Sequence, residues 1–468
     1  MIRLPALLLA LAALLPGLCR ATLPTTVARA AHEAALPADA IALWAAPAAG
    51  GAPFFTHNSR QAMNPASVMK LLTSHAALET LGSAHVWKTQ AALDGTLADG
   101  VLTGRLVITA GGDPDLTWDR LGLWLRDWRA RGLREIRGDI VIDTARFAPL
   151  PAGTAFDAAP HRAYNARPDA FLVNFGALTL RLQPAPAGAG VAVTPLTPAA
   201  PLVITNRIAS GTGACTDWRN SVRASFTPAA SGLALTLEGR YPASCGEREL
   251  NLRVGDSLAW AGAVIRAQWA ELGGRWQGEV VEGATPPQAQ AFSRWESPAL
   301  PEVLRDMNKW SNNVMAQQIL LALGGDDGRP LSAARAIGRL RDWMPAHGLD
   351  PAQWVLENGS GLSRLERTTA AELGALLQDA WNSPRMPEFV MGLPVIGRDG
   401  TMRSRLVDSP LAGRGYVKTG TLDGVKSAAG YLLDAQGRWV AFAILLNHPQ
   451  APNAERVIEE TLRALYAR

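Results

Sequence analysis

The chain has 468 residues, 48% hydrophobic and 18% charged, enough apolar mass for two or three packed domains, which excludes a disordered or fibrous polypeptide. Its formal net charge of +4, from 45 basic and 41 acidic side chains, is spread thinly with no Lys/Arg tract, which excludes nucleic-acid binding as the organising function.

Met1 to Ala21 open with Arg3, run apolar from Leu4 to Leu15 and close on Leu18-Cys19-Arg20-Ala21. This is the pattern of an export signal, with cleavage expected after Ala21. The apolar run is shorter than the ~20 residues of a spanning helix and Pro16 interrupts it, so at most peripheral membrane association is expected. Bulky Leu18 argues against lipid attachment at Cys19. Export leaves Cys215 and Cys245 as an even pair in an oxidising compartment, so a disulfide closing a loop of about 30 residues is expected. Loop entropy gives it a stabilisation of about 3 to 4 kcal/mol. Seven scattered histidines, with no His-Glu-x-x-His spacing and no close pair, indicate no metal, and no cofactor is expected.

In the mature chain a short helix is expected over Thr26 to Ala35, then a hairpin of Ala40 to Ala45 and Pro53 to Phe55 turned by Gly50-Gly51. The stiff Asn64-Pro65-Ala66 leads into a helix over Ser67 to Leu81, ended by Gly82. Residues 87–291 change character. Short β-type runs, Leu106 to Thr109, Asp139 to Asp143, Leu178 to Leu182 and Leu233 to Leu237, alternate with Pro/Gly/Ala-rich loops, and a single long helix, Leu258 to Leu272, closes the stretch. Ser297-Pro298 reads as a capped helix start. Helices then follow over Ala299 to Asn308, Val314 to Leu323, Ser332 to His347 and Thr369 to Trp381. Three strands come last, Arg414 to Thr421, Ser427 to Leu433 and Arg438 to Leu446. A terminal helix, Ala454 to Tyr466, presents Val457, Ile458, Leu462 and Leu465 to the sheet they form.

Lysine is rare in this arginine-rich chain, standing only at 70, 88, 309, 418 and 426. Arginine cannot surrender its proton, whereas a desolvated lysine can, so a position that needs a base must be lysine. Lys70 follows Ser67 by three residues at a helix start, which puts both side chains on one face, one turn apart. Ser311-Asn312-Asn313 lies between two helices, where Ser and Asn also serve as ordinary caps. Lys418-Thr419-Gly420-Thr421 lies on a strand, where a lysine also protects an edge. Each motif is weak alone. Their joint occurrence in this order and in these contexts is the Ser-x-x-Lys, Ser-x-Asn, Lys-Thr-Gly set of penicillin-binding proteins and serine β-lactamases.

The resemblance runs along most of the mature chain, through Met63 to Lys70, Gly111 to Pro114, Gly138 to Ile140, Met307 to Asn313, Asn358 to Arg364, Gly397 to Met402 and Val417 to Thr421. The chain resembles the class C low-molecular-mass penicillin-binding proteins, the D-alanyl-D-alanine carboxypeptidase/endopeptidase family. About 240 residues separate the first two motifs, and this large insertion is the family's mark.

The resemblance implies an α+β fold: a transpeptidase-type domain, an antiparallel sheet flanked by helices, assembled from residues 22–86 and 292–468, with one or two β-rich domains inserted over 87–291. It implies peptidoglycan peptides and β-lactams as ligands. Ser67 is the implied nucleophile and neutral Lys70 its base, which requires moving an ammonium pKa from about 10.4 to near 7. Ser311 is the alternative proton relay and Asn313 the substrate-amide anchor. Lys418 and Thr419 would hold the terminal carboxylate, with Gly420 completing the motif, and the N–H groups of Ser67 and Thr421 would form the oxyanion hole. Asn358 and Gln317 depart from the Asp and Glu often found in the family, outside the three motifs. Asp157 is the candidate counterpart of a family aspartate that borders the active site. Two other readings share the motifs: a serine β-lactamase, for which no glutamate is placed to activate a deacylating water, and a peptidoglycan- or β-lactam-binding scaffold without turnover.

Overall fold

The computed structural model describes residues 23–150, 156–185, 190–228 and 232–468. The export segment expected over 1–21 lies outside these residues. Among the described residues no helix is long and apolar enough to cross a membrane.

The two ends of the chain share one five-stranded antiparallel sheet, in the order Gly415–Leu422, Val425–Leu433, Trp439–Asn447, Ile41–Pro47, Phe55–His57. Both faces are covered, and the period-2 alternation of a strand sorts the first strand's side chains between them. Ile41 and Leu43 pack with Val457, Ile458 and Leu462 of the terminal helix Glu455–Tyr466. Ala42, Trp44 and Ala46 pack instead with Leu71 and Leu72 of the helix Lys70–Leu81 and with Leu373 and Leu377 of the helix Ala370–Asn382. This second layer carries the site.

The inserted segment leaves and re-enters at one place, because Lys88 pairs with Glu296 across two antiparallel strands, Lys88–Ala98 and Gln290–Glu296. These belong to a seven-stranded sheet that also contains parallel pairs, among them Val101–Thr109 with Ile140–Asp143. Two three-stranded sheets follow, one built on Leu233–Pro242 and one on Ala177–Pro184. Cys215 and Cys245 are bonded, with Cα atoms 4.9 Å apart.

Two local expectations are corrected. The segment holds a second long helix, Trp118–Ala130, besides Ser257–Glu271. Its buried Leu121, Trp124, Leu125 and Trp128 repeat at helical spacing, a signal carried partly by tryptophans inside an otherwise arginine-rich stretch. Ser297 does not cap a helix; the helix begins at Leu300 with Pro301 in its first turn, and the Ser297 hydroxyl accepts from the Trp87 N–H and donates to the Pro298 carbonyl.

Candidate active site

Ser67 sits in a 3-10 turn, Ala66–Met69, that runs directly into the helix Lys70–Leu81. Neighbours fix this turn. Asn64 Oδ1 accepts the Ala66 N–H at 2.8 Å, and Asn64 Nδ2 donates to the Ser363 carbonyl at 2.8 Å. Asn447, at the end of the central strand, accepts the Asn64 N–H and donates back to its carbonyl. Ser427 Oγ donates to the Pro65 carbonyl at 2.6 Å. Gly420 lets the motif strand press against the serine: a Cβ there would stand 2.8 Å from the Ser67 nitrogen and 2.3 Å from Ser427 Oγ.

Lys70 is completely buried, and its Nζ lies 3.1 Å from Ser67 Oγ, 2.8 Å from Asn313 Oδ1 and 2.6 Å from the Ser360 carbonyl oxygen. Two of these partners can only accept, while the serine hydroxyl can also donate. A neutral amine therefore spends its two N–H groups on Asn313 and Ser360 and turns its lone pair to the Ser67 hydroxyl. Burial, and then the charge of Lys418, push the Lys70 ammonium well below the ordinary lysine range against a smaller opposing pull from Glu366.

Lys418 is buried as well. Its Nζ donates to Ser311 Oγ at 2.8 Å and to the Thr419 carbonyl at 2.9 Å, and burial lowers its pKa to about 7. Ser311 adopts a left-handed conformation, φ 56° and ψ 37°, between the helices Leu300–Trp310 and Asn313–Ala322, and Asn312 caps the second by accepting the Met315 N–H. That bend brings Ser311 to Lys418 while Asn313 reaches Lys70. The structure thus gathers Ser67, Lys70 and Asn313 into one hydrogen-bonded group and Ser311, Lys418 and Thr419 into a second. Thr421 lies further along the strand, exposed, opposite Lys426.

Sequence reasoning singled out no role for several contributors. The loop leading to the Ser360 carbonyl is held by Glu366, a buried carboxylate whose Oε1 accepts the N–H groups of Glu357, Asn358 and Gly359 at 3.1, 3.0 and 3.2 Å. Burial raises the Glu366 carboxyl more than these bonds lower it. Gly361, at φ +82°, lets this loop meet the serine turn, since a Cβ there would fall 1.9 Å from the Ala66 carbonyl oxygen. Thr401 Oγ1 accepts a hydrogen bond from Thr419 Oγ1 at 2.9 Å. The only signal for these groups was that they fall in or beside segments carrying the family resemblance.

The inserted segment reaches the site through Tyr164, whose carbonyl accepts from Asn313 Nδ2 at 3.3 Å and whose hydroxyl donates to Asp157 at 2.7 Å. Burial would raise the Asp157 carboxyl, but the hydrogen bonds from Tyr164 and Asn165 outweigh it and hold it below the usual range. A cavity of about 640 Å³ opens between the two regions, lined by Arg120, Tyr164 and Phe175 on one side and Trp310, Ser311 and Asn313 on the other. His75 is not part of the site; its Nε2 bonds to Asp379 at 2.6 Å.

Comparison with known proteins finds matches along nearly the whole chain. The family model described as the D-Ala-D-Ala carboxypeptidase 3 (S13) family matches residues 23–468. The D-alanyl-D-alanine carboxypeptidase DacB of Haemophilus influenzae is 26% identical over 404 residues, covering 84% of this chain and 82% of that protein. A D-alanyl-D-alanine carboxypeptidase of Actinomadura sp. strain R39 is 27% identical over 426 residues, covering 86% of this chain and 77% of that protein. The fold matches the crystal structure of penicillin-binding protein 4 from Haemophilus influenzae with a TM-score of 0.77 at 24% identity, covering 94% of this chain and 99% of that one. A structure of the same protein complexed with a β-lactam matches with a TM-score of 0.73 at 23% identity, covering 95% of this chain and 100% of that one.

Proposed function

The chain belongs to the D-Ala-D-Ala carboxypeptidase 3 (S13) family, and on that premise we propose that it is an exported serine carboxypeptidase and endopeptidase of peptidoglycan stem peptides, working through a Ser67 acyl-enzyme. The observation that carries this reading is the environment of Lys70 Nζ, two of whose three neighbours are pure acceptors, leaving a lone pair for the Ser67 proton.

Ser67 Oγ attacks the carbonyl of the penultimate D-alanine as its proton passes to Lys70. The N–H groups of Ser67 and Thr421 stabilise the oxyanion. When the C–N bond breaks, the leaving amine takes a proton returned through Lys70 or through Ser311, which Lys418 orients at 2.8 Å. Lys418 and Thr419 hold the terminal carboxylate, and Asn313 holds the amide on the acyl side. Water then adds to the ester and Ser67 recovers its proton. A β-lactam carbonyl enters the same position, and because its ring opens without releasing a separate amine, the acyl-enzyme persists. The cavity of about 640 Å³ gives room for peptide beyond the reacting bond, which supports cleavage of cross-links as well as of terminal D-alanine.

The test is digestion of purified pentapeptide and cross-linked muropeptides, with mass spectrometry of the penicillin adduct. Release of D-alanine and monomeric products, with the adduct on the peptide containing Ser67, is expected. Fast nitrocefin turnover without any peptide cleavage would replace this reading with that of a β-lactamase.

A further inference from the structure

Outside the active site, the fold assembles a cluster that no spacing in the sequence announces. His75 comes from the helix Lys70–Leu81, about one and a half turns after Lys70. His347 ends the 3-10 turn Met344–His347, and Asp379 comes from the helix Ala370–Asn382. One oxygen, Asp379 Oδ2, lies 2.6 Å from His75 Nε2 and 2.8 Å from His347 Nδ1, and one ligand atom from each residue lies within 4.8 Å of the other two.

From this geometry we infer a divalent transition-metal site of the zinc type, with His75 Nε2, His347 Nδ1 and Asp379 Oδ2 as its protein ligands. Two imidazoles and one carboxylate are a borderline-soft donor set that suits Zn²⁺, Co²⁺ or Ni²⁺ rather than Mg²⁺ or Ca²⁺. Bonds of about 2.0–2.1 Å in a tetrahedral arrangement place ligand atoms ~3.3 Å apart, so both nitrogen–oxygen separations need to open by less than 1 Å. The rings are already held: Trp343 stacks on His347 with centroids 3.9 Å apart, and Trp343 and Phe389 meet the His75 ring edge-on. His75 is closed off at 1% exposure, whereas His347 and Asp379 are 21% and 30% exposed, so an ion enters from their side and keeps its fourth position open to water. Each neutral ring binds through the nitrogen that now faces Asp379 by carrying its proton on the other ring nitrogen, and the carboxylate leaves the bound divalent ion with a single net charge. The ion would clamp the helix that begins at Lys70 to the turn Met344–His347 and to the helix Ala370–Asn382.

The experiment uses the tag-free, full-length mature protein and Co²⁺ and Zn²⁺ as probes. Equilibrium dialysis is expected to give about one ion per chain, and Co²⁺ the intense visible bands of a four-coordinate site, with Mg²⁺ failing to compete. His347→Ala, His347→Gln and Asp379→Asn are each expected to weaken Zn²⁺ binding at least about tenfold while leaving the circular dichroism spectrum unchanged. Two results overturn the proposal: no stoichiometric binding to the folded wild type at micromolar Zn²⁺, or binding of equal strength in the His347 variants. Either would leave the cluster as a hydrogen-bonded tie between elements.

Discussion

The two buried lysines of the catalytic core and a buried glutamate of the inserted segment carry their charge differently. In the inserted segment a buried carboxylate faces arginine: Glu135 accepts from Arg137 at 2.6 Å and from Arg275 at 2.5 Å, and these bonds hold it below the usual carboxylate range. Asp115 also faces Arg120, but there burial, with the neighbouring Asp113, outweighs the pair and raises its carboxyl to about 7. In the core, Lys70 and Lys418 are both fully buried, and among the described residues neither makes an ion pair with a carboxylate. Glu135, bonded to two guanidinium groups, keeps its ionised form, whereas an unpaired ammonium held only by neutral acceptors is raised in free energy until it sheds its proton or meets an anion. The contrast separates charge kept for architecture from charge kept for chemistry.

The strongest way to break the contrast is to remove the groups that the lysines serve. Ser67→Ala is expected to abolish the penicillin adduct and lower D-alanine release by at least about 10³-fold, with an unchanged thermal transition. Labelling equal to wild type would remove Ser67 from the reaction. Lys70→Met keeps the bulk and deletes the lone pair. It is expected to slow acylation by about 10²–10⁴-fold. Because the buried amine has no carboxylate partner, no ion pair is lost and the melting temperature should move little, so a large fall would show that its bonds to Asn313 and the Ser360 carbonyl are structural instead.

The inserted segment should answer in the opposite way. Replacing Cys215 and Cys245 together by serine removes a cross-link closing a loop of sequence separation 30 and is expected to destabilise that segment by about 3 to 4 kcal/mol. Hydrogen exchange should speed up across residues 202–253, while the acylation rate of Ser67 stays at the wild-type value. Slowed acylation would show that the disulfide-closed part of the segment supports the active site.

The smallest effect is a pH dependence. Lys418 titrates at about 7 in the folded chain and near 10.4 when unfolded, so across that window the unfolded state binds more protons and stability rises with pH. Binding of a carboxylate needs the charged form. Acylation by a carboxylate-bearing β-lactam should therefore decline by up to tenfold per pH unit above about 7. Lys418→Arg keeps the charge and should flatten the alkaline limb, as measured by stopped-flow acylation from pH 5 to 10.

The part of the site that was legible in the sequence is the part written in side chains of unusual choice. Lysine at 70 and 418 stands out in a chain that otherwise strongly prefers arginine, and Ser67, Ser311 and Asn313 fall at spacings a helix or a cap can use. The Ser360 carbonyl could not be read, because a backbone acceptor leaves no letter, and Glu366 acts only by holding backbone N–H groups. His75, His347 and Asp379 meet through tertiary packing alone, so seven scattered histidines concealed one close pair. In the fold, the strands of the first sheet were legible as short apolar runs bounded by turn residues. The parallel pairing of Val101–Thr109 with Ile140–Asp143 was not, because sequence alternation does not state direction.

Gln318 gives this architecture a further consequence. Buried on the helix that Asn313 begins, it donates to the carbonyls of Gly112 and Asp113 at 3.1 and 3.2 Å and accepts the Asp169 N–H at 2.9 Å. One amide thus speaks for three backbone groups of the inserted segment. Pruning that segment to make a minimal enzyme would strand the amide without partners, at about 1–3 kcal/mol for each buried polar group left unsatisfied. The insertion is therefore a keystone of the Asn313 helix, and a shortened version would have to supply a new lining before the core could be expected to hold its shape.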